Sequence, residues 1–240
     1  MIGQIVKTEE DRIKQAYIDR AELVRQRKTF FTYQGVEQYM RGCDRYLKTM
    51  KLLKAAGYNS LAELKILDVG CGSGGMLRRF IMWGAKPENL HGIELRKDAV
   101  DSARKLSPSI DIRCASAVEL PYEDNSFDLV TQHTVFTSVL DDVMKQTIAQ
   151  EMDRVLRPGG SIEWYDFRYS NPNNPNVCGI GLAEIRTLFP EYTITARTVT
   201  LAPPVGRRLP DVLLPILYPT LSWIPALRTH YLCVMRKPKK

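Results

Sequence analysis

The feature that most constrains this chain is a run of glycines, Asp68-Val69-Gly70-Cys71-Gly72-Ser73-Gly74-Gly75. It lies where a short apolar stretch (65–69) passes into a segment with helical apolar spacing (74–83). Glycines at such a junction adopt dihedrals that other residues resist, and they let a ligand approach the free N–H groups of a helix start. The junction therefore predicts a βα unit with a ligand at its tip. The chain downstream keeps the same alternation, with strands at 90–94, 110–114, 127–131 and 160–166 and helices at 97–106 and about 141–156. Strands alternating with helices predict an α/β fold, a doubly wound and mostly parallel sheet covered on both faces.

The flanks read differently. Residues 8–28 and 35–56 are charged but carry apolar residues at helical spacing, and Gly57 is a suitable stop. They predict an N-terminal helical extension over 1–58, ahead of a domain over 59–240. Toward the end, 182–189 reads as a short helix, 192–200 as an alternating edge strand and 229–235 as a final strand. Between them, 203–227 is apolar but contains Pro210, Pro215, Pro219 and Pro225, which forbid one continuous helix. It is expected to be a broken lid over the acceptor or a surface-docking segment.

Several functional classes are disfavoured by composition. No stretch approaches about 18 uninterrupted apolar residues, and Met1–Gln4 does not open a secretory signal, so a cytoplasmic protein without a spanning helix is expected. Peripheral membrane contact stays open. Five cysteines without a C-x-x-C pair, and three scattered histidines, predict reduced thiols and no metal site. The formal charge of +7 divides into +5 over residues 1–60, +4 in the tail 236–240 and −2 between them. Excess charge confined to the ends reads as solvated surface rather than a nucleic-acid face.

Glu94 closes the second strand, twenty residues beyond Gly74, where a carboxylate can accept both hydroxyls of a ribose. Turn, context and acid together predict a nucleoside cofactor. Gly70, Gly72 and Gly75 also satisfy the dinucleotide fingerprint, so the glycines do not choose between cofactors. The wider pattern does. Ile66–Gly74, Gly92-Ile93-Glu94-Leu95, the stretch from Leu120-Pro121 to Asp128-Leu129-Val130, and Arg154-Val155-Leu156-Arg157-Pro158-Gly159-Gly160 resemble, in that order, the class I S-adenosylmethionine-dependent methyltransferases over about 63–166.

The resemblance implies a seven-stranded Rossmann-like sheet with a reversed last strand, and S-adenosylmethionine as cofactor. It assigns Asp68, Gly70 and Gly72 to the methionine end, Glu94 to the ribose and Leu95 to the adenine. Ser116 stands where the family often has an Asp for the adenine amino group, and Ala117 offers its backbone N–H there. Gln132 and His133 match positions near the methionine. His133, whose unperturbed pKa suits a general base, and Asp166 are the catalytic candidates; Asp166 has the alternative of anchoring Arg168. No Asn-Pro-Pro-Tyr sequence and no cysteine comes directly after the fourth strand, which disfavours amide or adenine nitrogens and cytosine C5 as acceptors. The resulting expectation is O-methylation of a small molecule or glycan. RNA or protein methylation and a non-catalytic S-adenosylmethionine-binding protein are the alternatives.

Overall fold

The computed structural model describes residues 8–26 and 35–239. Expectations for the extreme N-terminus, for residues 27 and 28, for the side chains of Leu23 and Val24, and for Lys240 fall outside them. Seven strands form one sheet: β1 (Ile66–Val69), β2 (Leu90–Glu94), β3 (Asp111–Cys114), β4 (Phe127–His133), β5 (Leu156–Phe167), β6 (Thr193–Leu201) and β7 (Arg228–Arg236). Their order is β3-β2-β1-β4-β5-β7-β6. The first five run parallel, with Ile66 between Leu90 and Leu129, while β7 runs antiparallel to both β5 and β6. This is the doubly wound sheet with a reversed last strand that the sequence predicted.

Successive residues of a strand point to opposite faces, and the sheet accordingly separates two cores. On one face Leu67, Val69, Val130 and Trp164 meet α5 (Asp142–Val155) and α6 (Leu182–Leu188). On the other, Ile66, Leu129 and Tyr165 meet α2 (Val36–Ala55), α3 (Gly75–Met82) and α4 (Lys97–Leu106). β1 is buried throughout, since it is covered on both faces and paired on both edges.

The order reverses beside β1, because chain progress moves from β1 through β2 to β3 and then returns to β4 on the other side. Open α/β sheets bind ligands at the carboxyl ends of the strands at such a point. The β1–α3 turn is fastened there by two bonds, with Gly70 N–H and Cys71 N–H both donating to the Ile93 carbonyl at 2.8 and 2.9 Å. That approach requires Gly92 on β2: a Cβ there would lie 2.8 Å from Cys71 Sγ and 2.9 Å from Leu77 Cδ1.

The flanks complete the cleft and the sheet edge. Helix α1 (Glu9–Gln26) starts with reciprocal bonds between Thr8 and Asp11 and buries Ile13 against the first core. Two cations of the tail are engaged with backbone rather than free at the surface. Arg236 donates to the carbonyls of Gly159 and Ala56, and Lys237 Nζ donates to those of Asp153 and Leu156 at 2.7 and 2.9 Å. Within 203–227 the prolines break the chain into α7 (Pro203–Gly206), α8 (Leu214–Ser222) and a short 3-10 turn at Pro225–Leu227. α8 packs on α2 and β6 through Leu214 and Tyr218.

Gly92→Ala should lower stability by about 1–3 kcal/mol, the usual cost of overpacking, because the added methyl must push the β1–α3 turn off the sheet. Chemical denaturation reads this directly. Unchanged stability would mean that the turn has slack the contacts do not show.

Candidate functional site

The cleft opens above Gly70, where four elements meet. Gly70, Gly72 and Gly74 all have positive φ (71°, 54° and 76°), and a Cβ on Gly70 would lie 2.4 Å from Val135 Cγ2. A side chain at Gly72 would meet nothing within 4 Å, because its α-carbon faces the open cleft. The cleft has two compartments sharing Tyr17, Gly70, Glu94, His133 and Thr134 as a common wall. The larger, about 260 Å³, is lined by Asp68, the glycine turn, Arg45 and Arg96. The smaller, about 80 Å³, is walled by Leu95, Ala115, Ser116, Ala117, Val135 and Ile148.

Glu94 stands between the compartments with 9% of its surface exposed. One carboxylate oxygen accepts from Gly72 N–H at 2.9 Å and the other from Arg96 N–H at 3.0 Å. Each oxygen keeps lone-pair capacity for a further donor. The carboxylate is therefore fixed in place before any ligand arrives.

Beneath the larger compartment lies a buried cluster of charge. Asp68 accepts from Thr131 Oγ1 at 2.8 Å, and Thr49 of α2 reaches Glu163 at 3.3 Å. His133 sits between the two carboxylates, its Nδ1 3.6 Å from Asp68 and its Nε2 2.9 Å from Glu163. The Glu163 contact is an ion pair by distance but is poorly aligned as a hydrogen bond. Burial would drive the imidazole toward its neutral form. The charge of Glu163 and the contact with Asp68 outweigh that, raising the pKa to about 9. The sequence expectation of an imidazole poised near 6.5 is thus corrected: at neutral pH His133 is a cation.

Of the residues singled out by sequence, Asp68, Gly70, Gly72, Glu94, Leu95, Ser116, Ala117 and His133 line the cleft. Gln132 and Asp166 do not. Gln132 is fully buried on the opposite face of β4, where its Oε1 accepts from Val135 N–H at 3.1 Å and shapes the turn. Asp166 is also fully buried, and it does not pair with Arg168. It accepts from the Thr137 hydroxyl and N–H and from Phe167 N–H, while burial raises its carboxyl to about 7. Arg168 instead lies over the rings of Tyr169 and Tyr231.

Sequence reasoning missed Tyr17, Arg45 and Glu163. Arg45 packs over the Tyr46 and Tyr165 rings at 4.9 Å, and its buried Nε has no acceptor. Nothing in the sequence separates it from the other basic residues of α2. Tyr17 lies under the Arg96 guanidinium at 4.6 Å and borders both compartments.

Residues 67–163 match the methyltransferase domain family. A demethylmenaquinone methyltransferase of Lactobacillus johnsonii is 29% identical over 52% of each chain. A phthiotriol/phenolphthiotriol dimycocerosates methyltransferase of Mycobacterium ulcerans is 31% identical over 49% of this chain and 43% of that one. The chain spans between 21% and 52% of the length of the curated relatives it matches. Among solved structures, an S-adenosylmethionine-dependent methyltransferase from Methanosarcina mazei superimposes with a TM-score of 0.58 at 19% identity, covering 75% of this chain and 94% of that one.

The donors of the cleft also fit S-adenosylmethionine chemically: a fixed carboxylate for ribose hydroxyls, an apolar slot for a purine, a buried carboxylate for positive charge, and an orphaned guanidinium for a carboxylate. Sheet order, glycine turn and family match agree, and residues 67–163 of this chain are a methyltransferase domain on the fold of S-adenosylmethionine-dependent methyltransferases.

Proposed function

We propose that the chain methylates a small molecule, at oxygen, with S-adenosylmethionine as donor. The observation that carries the cofactor in this reading is Glu94, held by two N–H groups at the carboxyl end of β2 with capacity left for a diol. In this reading Glu94 accepts from the ribose hydroxyls, Leu95 and Val135 close on the adenine, and Ser116 and Ala117 border its polar edge. Asp68 and Arg45 hold the two ends of the methionine portion, whose charges are opposite. When bound, the cofactor supplies a methyl group on a sulfonium, already activated, so alignment is the main task left to the protein and is worth about 7–11 kcal/mol.

The similarity to methyltransferases of demethylmenaquinone and of phthiotriol/phenolphthiotriol dimycocerosates supports a small-molecule acceptor. Arg236 and Lys237 of the basic tail are engaged with backbone carbonyls, which favours a small molecule over RNA. A hydroxyl acceptor must lose a proton, and His133 can take it only when its own proton has left. Below about pH 9 His133 acts instead as a fixed cation that orients Asp68. Labelled S-adenosylmethionine incubated with metabolite and glycan fractions tests the reading: a labelled small-molecule product is expected. Label found in RNA or protein alone, or no S-adenosylhomocysteine with any fraction, would overturn it.

Binding separates the two ends of the cofactor. Glu94→Ala should weaken S-adenosylmethionine and 5′-methylthioadenosine alike, by about 1.5–3 kcal/mol in calorimetry. Arg45→Ala should weaken only the former, because methylthioadenosine has no carboxylate. Equal losses for both ligands would remove Arg45 from the assigned role.

The His133 imidazole should titrate near 9 in an NMR experiment. The folded value lies above the ordinary 6.5, so the imidazolium contributes stability below about pH 6.5 and loses it as pH rises through 9. A resonance titrating at 6.5 or lower would contradict the arrangement.

A further inference from the structure

Helix α8 is apolar on both sides, although only one side is packed. Leu214, Tyr218 and Ser222 recur every four residues and are buried against the body of the protein. Ile216 (68% exposed) and Pro219 stand on the opposite side of the helix, with Val212 (87%) in the turn before it and Trp223 (80%) at its C-cap. Leu213 and Ile224 flank this stripe and are also exposed. From 209 to 227 the sole charged residue is Asp211, whereas Arg207 and Arg208 lie exposed just before the stripe. A helix with apolar residues all round belongs in a core or against lipid.

We propose that the outer face of the α7–α8 segment seats the protein on an anionic bilayer surface. Composition and charge choose lipid over a protein partner. Aliphatic side chains with a tryptophan, preceded by two exposed arginines, match an interfacial segment on anionic lipid, where each methylene that enters the acyl boundary contributes separately.

The geometry also fits. No helix of the described residues is long and apolar enough to cross a membrane, and Pro215 and Pro219 keep α8 short. The segment can therefore lie on a surface but not span one. Its inner anchors, Leu214 and Tyr218, fix α8 against α2 and β6, so the outer side chains are presented from a rigid base. α2 also carries Arg45, which lines the cleft, and bilayer contact would thus hold the cleft close to the lipid surface.

The test uses the full chain with sedimented vesicles of phosphatidylcholine alone and of phosphatidylcholine mixed with phosphatidylglycerol. Binding to the mixed vesicles is expected, with a blue shift of Trp223 emission that Trp223→Phe abolishes. Trp164 is buried and Trp83 partly so, which makes Trp223 the reporter. Ile216→Ser with Trp223→Ser should cut vesicle affinity at least about tenfold and leave the melting temperature unchanged, since neither side chain is packed. Arg207→Gln with Arg208→Gln should weaken binding and flatten its salt dependence. The proposal is overturned by failure to bind the mixed vesicles, by equal binding to both vesicle types, or by undiminished binding of the Ile216/Trp223 variant. A dimer in sedimentation analysis that the same variant dissolves would assign the stripe to a second copy of the chain instead.

Discussion

The cleft rests on a buried ionic cluster. Two carboxylates, Asp68 and Glu163, lie within the sheet face under α2, and His133 stands between them. Removing a carboxylate from water costs several kcal/mol even after relaxation, and an unpaired one would move its pKa rather than stay charged. The imidazolium answers two such groups at once, which is why its own pKa rises although burial opposes it. Thr131 and Thr49 take part of the remaining hydrogen-bonding capacity. Asp68 is the carboxylate of the cluster that lines the cleft, where a cationic ligand such as a sulfonium or ammonium would meet it.

Most of the fold was legible because β1, β2 and β4 are short, largely apolar runs bounded by turn residues. Helix α4 lies at the residues read from sequence, and β7 begins one residue earlier than expected. The cofactor turn was legible for a different reason: only glycine satisfies its dihedrals and contacts, so the chemistry is written in residue type. Glu163, Arg45 and Tyr17 carry no such mark. They reach the cleft, or in the case of Glu163 the cluster beneath it, because β5 and two N-terminal helices are placed there by packing, which no local pattern encodes.

The pleat explains the two misplaced residues. Gln132 and His133 are adjacent on β4 and so point to opposite faces. Only His133 lies over the face that carries Asp68; Gln132 belongs to the face that meets the following turn. Asp166 fails likewise: β5 aligns Tyr165, not Asp166, with His133. Its carboxylate is turned into the opposite core, where it secures Thr137. Strand parity, applied to the sequence, would have separated the pairs.

The N-terminal helices are part of the cleft as well as its approach. Tyr17 borders both compartments and carries the Arg96 guanidinium on its ring, while the backbone N–H of Arg96 holds Glu94. Arg45 crosses from α2 to the Tyr165 ring, above the charged cluster. A central domain cut at residue 59 would keep the glycine turn and Glu94 but lose the aromatic wall between the compartments and the guanidinium of the larger one. Since the family match covers 67–163 and neither helix, these two side chains are where this chain sets its own terms for what enters the cleft.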